Sequence, residues 1–211
     1  NDNRRATMVS PSYFLTAWHN SPVAGSTMTF RGGDAANHLY TVADLTPGNP
    51  ADSGMLRLST TFLYGGLEYT RPSDLALGKL TTTLAPSHQI EFYPVVDPGY
   101  VYVDDPVFLY GADNYVGRNN AEAAGLVWDL DPPSNPSAVV TLSLVMYYDN
   151  VLDEAFLQGG DSSSPTFAVR DGGLALLGTH WSVGPDDTPP SPPDGTHYSI
   201  DSFVSFYIDQ I

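Results

Sequence analysis

Short apolar or alternating segments, separated by Gly, Pro, Asn and Asp, follow one another along most of this chain. The clearest are residues 7–9, 13–16, 26–30, 38–42, 55–58, 90–93, 107–110, 138–146, 166–169 and 174–179. Many short strands with regular turn signals are typical of a sandwich or a barrel. The pattern therefore predicts an all-β fold.

The end of the chain has a different pattern. Apolar residues recur there at helical spacing on one face: Ile200, Phe203, Val204, Tyr207, Ile208 and Ile211. Ser199 and Asp201 are both suitable residues for capping the start of a helix. We therefore predict a terminal amphipathic α-helix over residues 200–211.

Polar stretches that contain proline divide the chain. One covers residues 81–98 and can join two halves, and further loops fall at 132–136 and 184–195. No repeat at a fixed period is evident. A length of 211 residues suits one domain, or two small subdomains that share a site.

The net charge is strongly negative. There are 24 acidic against 8 basic residues, giving a formal charge of -16, and Lys79 is the only lysine. Such a surface repels nucleic acid and anionic lipid, so neither is an expected partner. Solubility and adaptation to salty surroundings both explain this acidity. The sequence contains no run of about 18 apolar residues, so it predicts no transmembrane helix. No signal peptide is recognisable in it either.

Cysteine is absent, so disulfides neither stabilise the fold nor indicate the compartment. Acidic clusters at residues 104–105, 149–154 and 186–187 carry the hard oxygen ligands that calcium prefers. None has the spacing of an EF-hand, so solvated loops are the favoured interpretation. No metal and no cofactor is expected.

The segment Gly160-Asp161-Ser162-Ser163-Ser164-Pro165 is a candidate nucleophile loop. Acyl transfer by serine needs a base that takes the hydroxyl proton, a group that orients this base, and backbone N–H donors for the oxyanion. Ser162 is the candidate nucleophile, and the N–H groups of Gly160 and Ser162 are the candidate donors. A plain polar hairpin loop explains the same residues. Ser163 and Ser164 are rivals that lack the preceding Gly-Asp pair.

His19 is the candidate base, because it comes shortly after an apolar strand at residues 13–15 and the small pair Thr16-Ala17. A residue at the end of a strand with no catalytic role fits this position equally well. The competing histidines lack the same pattern: His38, His88, His180 and His197.

Asp74 is the candidate that orients the base. It follows Arg71-Pro72-Ser73 and opens an apolar run at residues 75–77, where a carboxylate can face a neighbouring imidazole. A turn aspartate is the alternative, and Asp52 and Asp44 are rivals. The chain order His, Asp, Ser is one of the few known for this triad.

Together these segments resemble the trypsin-like (chymotrypsin-fold) serine peptidase family. Leu15-Thr16-Ala17-Trp18-His19 is similar to the family's Leu-Thr-Ala-Ala-His, and residues 74–80 are similar to Asp-Ile-Ala-Leu-Leu-Arg-Leu. Residues 160–165 resemble Gly-Asp-Ser-Gly-Gly-Pro with two changes. The last ten residues are similar to the family's closing helix, so the resemblance spans nearly the whole chain.

The resemblance implies two antiparallel six-stranded β-barrels with the catalytic cleft between them, followed by a short C-terminal α-helix. Residues 1–85 would form the first barrel, 86–98 the linker, 99–199 the second barrel and 200–211 the helix. It also implies a secreted or extracellular protein, with the periplasm and the cell surface included. The missing cysteines favour a bacterial member.

The implied activity is a serine endopeptidase acting on a protein or peptide substrate. His19 would be general base and acid, Asp74 would orient it, and Ser162 would form the acyl-enzyme. The implied primary pocket is lined by Phe156, Thr179, His180 and Trp181. No aspartate lies where the family selects Lys or Arg, so we expect a small or apolar P1 residue. The alternatives are an inactive homologue that serves as a binding module and an esterase with the same triad.

Several residues depart from the family pattern. Ser163 and Ser164 replace two glycines, which is tolerated only if these positions do not need a positive φ. Trp18 replaces a small residue and is expected either to pack under the triad or to narrow the cleft. Gly78 and Lys79 replace Leu-Arg and soften the strand after the aspartate.

The start of the chain also departs from the family. It begins only eighteen residues before His19, so the opening strand of the first barrel is expected to be missing. In many family members a freed terminal amine pairs with the aspartate equivalent to Asp161, and Asn1 does not resemble that terminus. We therefore expect an internal donor, or a segment outside this sequence, to hold Asp161.

Overall fold

The computed structural model describes residues 5–47, 53–97, 104–111, 115–129, 134–148, 155–184 and 198–211. This part of the chain is mostly β-strand, so the predicted all-β class is confirmed. The strands are β1 (Thr7–Met8), β2 (Tyr13–Ala17), β3 (Thr27–Arg31), β4 (Asn37–Thr41), β5 (Leu56–Tyr64), β6 (Leu67–Lys79), β7 (Asp105–Tyr110), β8 (Val116–Ala121), β9 (Ala123–Trp128), β10 (Val140–Tyr147), β11 (Pro165–Arg170), β12 (Gly173–Gly184) and β13 (Tyr198–Phe203). Short 3-10 helices lie at Trp18–Asn20, Pro86–His88 and Val204–Gln210. None of the helices described here has the length and apolarity that crossing a membrane requires.

The first half of the molecule is built from β1 to β6. A four-stranded antiparallel sheet has the order β1-β2-β6-β5, and β3 and β4 form a separate hairpin. A bridge between Val42 and Leu80 joins this hairpin to the end of β6. The β5–β6 hairpin turns at Gly65 and Gly66, both with positive φ, as a two-residue type I′ turn requires.

The second half is a sheet that closes on itself. Its order is β8-β7-β11-β12-β13-β10-β9, and only Glu122 separates β8 from β9. The Glu122 N–H continues the pairing with β10 by donating to the Val145 carbonyl at 3.1 Å. The two outer strands are therefore one bent strand, and the sheet counts six strands when β8 and β9 are taken together. The bent strand closes the sheet.

The terminal helix differs from its predicted extent and type. Residues 200–203, expected to be helical, belong to β13, which pairs with β10 on one side and β12 on the other. Residues 199–202 are all buried in this position. Ladder pairing on both sides overrides a weak helical periodicity. The helix that follows covers Val204–Gln210 and is a 3-10 helix rather than an α-helix.

The segment between the halves contains one wrong strand prediction. Residues 90–93, expected to form a strand, pair with no neighbour as a ladder. Residues 90–97 instead cross between the halves outside any ladder. Tyr93 N–H donates to the Met8 carbonyl at 2.9 Å, and Val95 forms a parallel bridge with Leu176. One crossing segment thus contacts β1 and β12.

An apolar cluster joins the two halves directly behind the cleft. Its fully or nearly fully buried members are Leu15, Leu58, Leu75, Leu77, Phe167, Leu176, Val204 and Tyr207. Tyr207 carries a hydroxyl that lies 2.8 Å from Thr60 Oγ1 and accepts a hydrogen bond from the Leu142 N–H at 3.1 Å. The terminal helix therefore binds β5 of the first half and β10 of the second.

A second contact fixes this helix to the first half. The Gln210 side-chain amide accepts from the Ser59 N–H at 2.9 Å and donates to the Ser59 carbonyl at 2.8 Å. Ser59 lies where the pairing of β5 with β6 shifts register, so its backbone groups are free for this contact. The amide thus satisfies both backbone groups of an irregular strand residue.

Gly78, one of the departures from the family pattern, has a packing explanation. The ring of Phe14 lies against its backbone, and a Cβ at this position would overlap that ring. Phe14 is fully buried on the neighbouring strand β2. Glycine in β6 therefore makes room for an aromatic ring in the first core.

Candidate active site

Three side chains named by the sequence converge in the cleft between the halves. His19 Nδ1 lies 2.7 Å from Asp74 Oδ2, and His19 Nε2 lies 2.9 Å from Ser162 Oγ. The His19 backbone N–H also donates to Asp74 Oδ1 at 3.1 Å. The structure thus brings all three candidates into one hydrogen-bonded line, although 143 positions separate His19 from Ser162.

Strand register explains why His19 meets Asp74. Strand β2 ends at Ala17, which pairs with Leu75 of β6. A 3-10 turn over Trp18–Asn20 then carries His19 across the neighbouring strand, beside the residue that precedes Leu75. Asp74 is buried, and its own N–H donates to Thr141 Oγ1 at 2.9 Å. A strand of the second half therefore helps to fix the backbone that carries the carboxylate.

The hydrogen bond to the Asp74 carboxylate raises the pKa of His19 above its ordinary value of 6.5. Partial burial opposes this rise, and the charge of Asp74 adds to it. Because Nδ1 faces a carboxylate, it carries the proton in the neutral ring, and Nε2 is left as the acceptor. The imidazole is thus held in the tautomer that can accept the Ser162 hydroxyl proton.

The nucleophile loop leaves two backbone donors available. In the described part of the chain, neither the Gly160 N–H nor the Ser162 N–H donates to a protein acceptor. The Asp161 N–H, in contrast, closes a turn on the Gln158 carbonyl at 2.9 Å. Gly160 has a φ of 104° at the third position of this turn, where type II turns favour glycine.

Asp161 is held by internal partners, one of the two arrangements that the sequence left open. It is 5% exposed, and its Oδ2 accepts from the Gln158 N–H at 2.7 Å. Arg5 Nη1 lies 3.7 Å from its Oδ1 and donates to the Gly160 carbonyl at 2.8 Å. A guanidinium near the start of the chain therefore contacts the loop next to Ser162.

The expectation about the two glycine replacements is wrong at Ser163. Ser163 has a φ of 71°, a left-handed conformation that costs a non-glycine residue about 1–2 kcal/mol. Its Oγ offsets this strain by accepting from the Ala17 N–H at 3.0 Å. Ser163 and Ser164 are fully buried, whereas Ser162 is partly exposed. Of the three serines, Ser162 is thus the one that a substrate can reach.

Two of the four expected pocket residues are buried. Thr179 is fully buried and His180 is 2% exposed, since β12 runs in the barrel wall between β11 and β13. His180 Nδ1 lies 3.0 Å from Asp201 Oδ1, so the imidazole is paired with a buried carboxylate. The expectation that these two side chains line a substrate pocket is therefore wrong in this structure.

The other two expected pocket residues are partly exposed. The ring of Phe156 packs on Tyr148 with centroids 4.7 Å apart. The Trp181 Nε1–H donates to Ser143 Oγ at 3.2 Å, at a point where the pairing of β12 with β13 shifts register. Phe156 and Trp181 thus offer aromatic surface, and both are anchored by neighbours in the second half.

The competitors that lie in the described residues have side-chain partners other than Ser162. The buried His180 ring faces Asp201. His38 pairs with Asp34 at 2.9 Å and stacks on His88 with centroids 3.6 Å apart. Asp44 Oδ1 accepts from the Thr46 N–H at 2.9 Å within its own loop. The remaining competitors lie outside the described residues: His197 and Asp52.

Trp18 packs on the core of the first half. Its ring is partly buried, and the Arg57 guanidinium lies 4.9 Å from the ring centroid. Arg57 in turn donates to the Ser73 carbonyl, next to Asp74, at 2.7 Å. The tryptophan thus supports the strand that carries the carboxylate.

Within the described residues, no group of three or more His, Asp or Glu side chains is arranged to hold a metal ion. Of the acidic clusters in the sequence, residues 149–154 and 186–187 lie outside those residues. Asp105, in the cluster at 104–105, is paired with Arg170 at 2.8 Å.

Sequence reasoning missed the residues that support the triad from behind. Asn20 Nδ2 donates to the Ser162 carbonyl at 3.2 Å, and Thr141 binds the Asp74 N–H. Arg5 contacts the loop from 155 positions away. These residues belong to no spacing pattern, and Asn20 alone had a signal, its position next to His19.

Comparisons with known proteins identify the fold. No protein-family model and no curated protein matches the chain. Kallikrein-related peptidase 10, solved with Zn2+, is 14% identical, with 99% of this chain and 86% of that chain covered and a TM-score of 0.54. The NS6 protease of murine norovirus 1 is 12% identical, with 96% and 86% covered and a TM-score of 0.49. At such identity the kallikrein likeness shows the fold alone, a chymotrypsin-like double β fold.

Proposed function

We propose that this chain, on a chymotrypsin-like double β fold, is a serine endopeptidase that forms an acyl-enzyme on Ser162. The observation that carries the proposal is the line of contacts from Ser162 Oγ through the His19 ring to Asp74, at 2.9 and 2.7 Å. A nucleophile, a base within hydrogen-bond reach and a group that orients the base are what covalent catalysis by serine requires.

The first half-reaction begins with attack of Ser162 Oγ on the carbonyl carbon of the scissile peptide bond. As the Oγ–C bond forms, the hydroxyl proton moves to His19 Nε2 and the carbonyl electron pair moves onto oxygen. Asp74 stabilises the imidazolium through the Nδ1 hydrogen bond. Collapse of the intermediate breaks the C–N bond, and the leaving amine takes the proton from Nε2.

The second half-reaction repeats these steps with water. His19 Nε2 accepts a proton from water as its oxygen attacks the acyl carbon. Collapse then breaks the bond to Ser162 Oγ, which regains its proton from the imidazolium. The products are a carboxylic acid, an amine and unchanged enzyme, so His19 works as base and acid once in each half.

The oxyanion of both intermediates would be stabilised by the Gly160 and Ser162 N–H groups. They are suited to this role because no acceptor among the described residues occupies them. Donors that are fixed before charge develops lose little free energy to reorganisation, and one such donor contributes about 2.7–4 kcal/mol to the transition state.

The proposed substrate is a protein or peptide with a small or apolar P1 residue. The partly exposed rings of Phe156 and Trp181 support this preference, because an aromatic wall favours an apolar side chain. We also propose that the protein acts outside the cell, where a surface with a net charge of -16 suits high salt.

Labelling with a fluorophosphonate probe tests the proposal. The native protein should label at one site, and Ser162→Ala should abolish labelling. Ser26→Ala is the matched control, because Ser26, like Ser162, is partly exposed and its hydroxyl binds the nearby Val23 carbonyl. A peptide library and a matched ester series then distinguish an endopeptidase from an esterase.

Native protein that is folded but does not label would refute the proposal and favour a binding module with this fold. Labelling that persists in Ser162→Ala would refute Ser162 as the nucleophile. Preferred cleavage after Lys or Arg would refute the P1 preference while leaving the mechanism intact.

A further inference from the structure

The residue that follows the nucleophile is held in an unfavourable conformation. Ser163 has a φ of 71° and is fully buried. A strained backbone of this kind persists only when the surrounding structure determines it. The contacts of the Ser163 side chain therefore identify what the strain supports.

Those contacts cross from the second half of the molecule to the first. Ser163 Oγ accepts from the Ala17 N–H at 3.0 Å and lies 3.0 Å from Thr16 Oγ1. Ala17 is the last residue of β2 and stands two positions before His19. One hydroxyl thus connects the residue after the nucleophile to the strand that delivers the base.

Arg5 completes the same network. Thr16 Oγ1 donates to the Arg5 carbonyl at 2.9 Å, which fixes the Arg5 backbone beside β2. The Arg5 guanidinium donates to the Gly160 carbonyl at 2.8 Å and to Ser164 Oγ at 3.2 Å. The nucleophile loop is therefore held on both sides of Ser162 by groups from the first half.

We propose that Ser163 and Arg5 are positioning residues, which set the Ser162 hydroxyl and the Gly160 N–H relative to His19 by tying the nucleophile loop to β2. The inference rests on the proposed peptidase function. Neither residue touches the reacting atoms, so both act through the loop. A misplacement of about 1 Å can slow a reaction about 100-fold, so a tie this close to Ser162 affects the rate more than it affects binding.

Two substitutions at Ser163 separate the effect of its backbone strain from the effect of its hydrogen bond to β2. Ser163→Ala removes the hydroxyl and keeps the strain, whereas Ser163→Gly removes the hydroxyl and relieves the strain. Both should lower kcat and the rate of fluorophosphonate labelling about 10- to 100-fold, with KM within about twofold. The urea midpoint should fall further in Ser163→Ala than in Ser163→Gly, while kcat falls equally in both.

Ser10→Ala is the matched control for the hydroxyl. Ser10 Oγ accepts from the Tyr13 N–H at 3.0 Å, a bond of the same kind at the opposite end of β2. Its loss should leave kcat within about twofold of native. A similar fall of kcat in this variant would mean that any loosening of β2 slows the reaction, and it would overturn the proposal.

Arg5→Gln tests the other side of the loop, with Arg31→Gln as the matched loss of charge from an exposed residue of β3. Arg5→Gln should lower kcat and Arg31→Gln should not. In the double variant Ser163→Ala, Arg5→Gln, kcat should fall by much less than the product of the single effects, because both residues hold one loop.

The outcomes distinguish this inference from the proposed function. If folded native protein fails to label, the peptidase proposal fails and this inference fails with it. If native protein labels and the Ser163 and Arg5 variants label at the native rate, the function stands and the positioning role is overturned. A fall in the urea midpoint with kcat unchanged would likewise reduce both residues to a structural role.

Discussion

At the scale of single residues, the chemistry of the candidate site depends on one carboxylate. Asp74 binds both the ring and the backbone N–H of His19, and its hydrogen bond is the largest cause that raises the His19 pKa. The neutral imidazole is the form that accepts a proton. Activity should therefore rise with pH through a midpoint above 6.5 and remain high at mildly alkaline pH.

Replacing Asp74 should change both the rate and this midpoint. Asp74→Asn removes the two causes that raise the His19 pKa and leaves burial, which lowers it. The acid limb of kcat/KM should move below pH 6.5, and kcat should fall about 1,000- to 10,000-fold because the favoured tautomer is lost.

Asp34→Asn is the control for this prediction, because Asp34 pairs with His38 at 2.9 Å outside the site. The pH profile of this variant should match that of the native protein. An acid limb of Asp74→Asn that stays in place would show that the limb reports another group.

The sequence predicted these residues better than it predicted their supports. His19, Asp74 and Ser162 follow local patterns of strand and loop, so each could be proposed from its own segment. Arg5, Thr16 and Ser163 act through contacts across 146 to 159 positions, which no local pattern indicates. Ser163 even violates the expected glycine rule, because the energy of a distant hydrogen bond offsets local strain.

At the scale of elements, local pattern and sheet pairing disagree at specific places. Residues 200–203 have helical spacing but lie between two strands, and residues 90–93 were predicted as a strand but form no ladder. The pocket prediction failed for a related reason: Thr179 and His180 lie in the middle of β12, where the side chains on both faces are buried. Alternation predicts that a strand exists, and its neighbours decide what is exposed.

The pairing of β2 with β6 depends on a glycine, which yields a prediction. Gly78→Ala places a methyl group where the Phe14 ring lies, and overpacking of this kind costs about 1–3 kcal/mol of the free energy of unfolding. Gly125→Ala in β9 is the control, because nothing lies within 4 Å of a Cβ there. Urea unfolding of both variants gives the comparison, and equal stability would show that Phe14 can move aside.

At the scale of the whole molecule, the terminal helix joins the two halves, in addition to the contacts across the cleft. Tyr207 is fully buried between them and its hydroxyl meets Thr60 of one and Leu142 of the other. The double β fold was predictable because the three motifs together resemble one family. The contacts of Tyr207 between the two halves were not predictable, because they depend on one hydroxyl and two strands that are distant in sequence.

Removing that hydroxyl should destabilise the whole molecule. Tyr207→Phe leaves the Leu142 N–H without its acceptor, and an unsatisfied buried donor costs about 1–3 kcal/mol of the free energy of unfolding. Tyr64→Phe, at a residue 44% exposed, should stay within about 0.5 kcal/mol of native. Equal urea midpoints for the two variants would contradict a structural role of the Tyr207 hydroxyl.

The net charge gives a prediction for the entire surface. A charge of -16 repels itself in the folded state, and salt screens this repulsion with a Debye length of about 10 Å at 0.1 M. Raising NaCl from about 10 mM to about 500 mM, where the Debye length drops several-fold, should therefore raise the urea midpoint at pH 7. Near pH 4.2, the sequence pI, the same change should have little effect. A midpoint that falls with salt at pH 7 would contradict the prediction.

The contacts that tie the ends of the chain together have a consequence for the order of events during synthesis. Three residues or segments of the first half bind groups that are added much later. Arg5 binds Gly160, β2 binds Ser163, and Ser59 binds Gln210, 151 positions further on. A nascent chain emerges from its N-terminus at about 5–20 residues per second. The first half is therefore made about 8–30 s before these partners exist, and the contact between His19 and Ser162 cannot form until Ser162 has been added. The proposed triad therefore assembles only after the second half has been made.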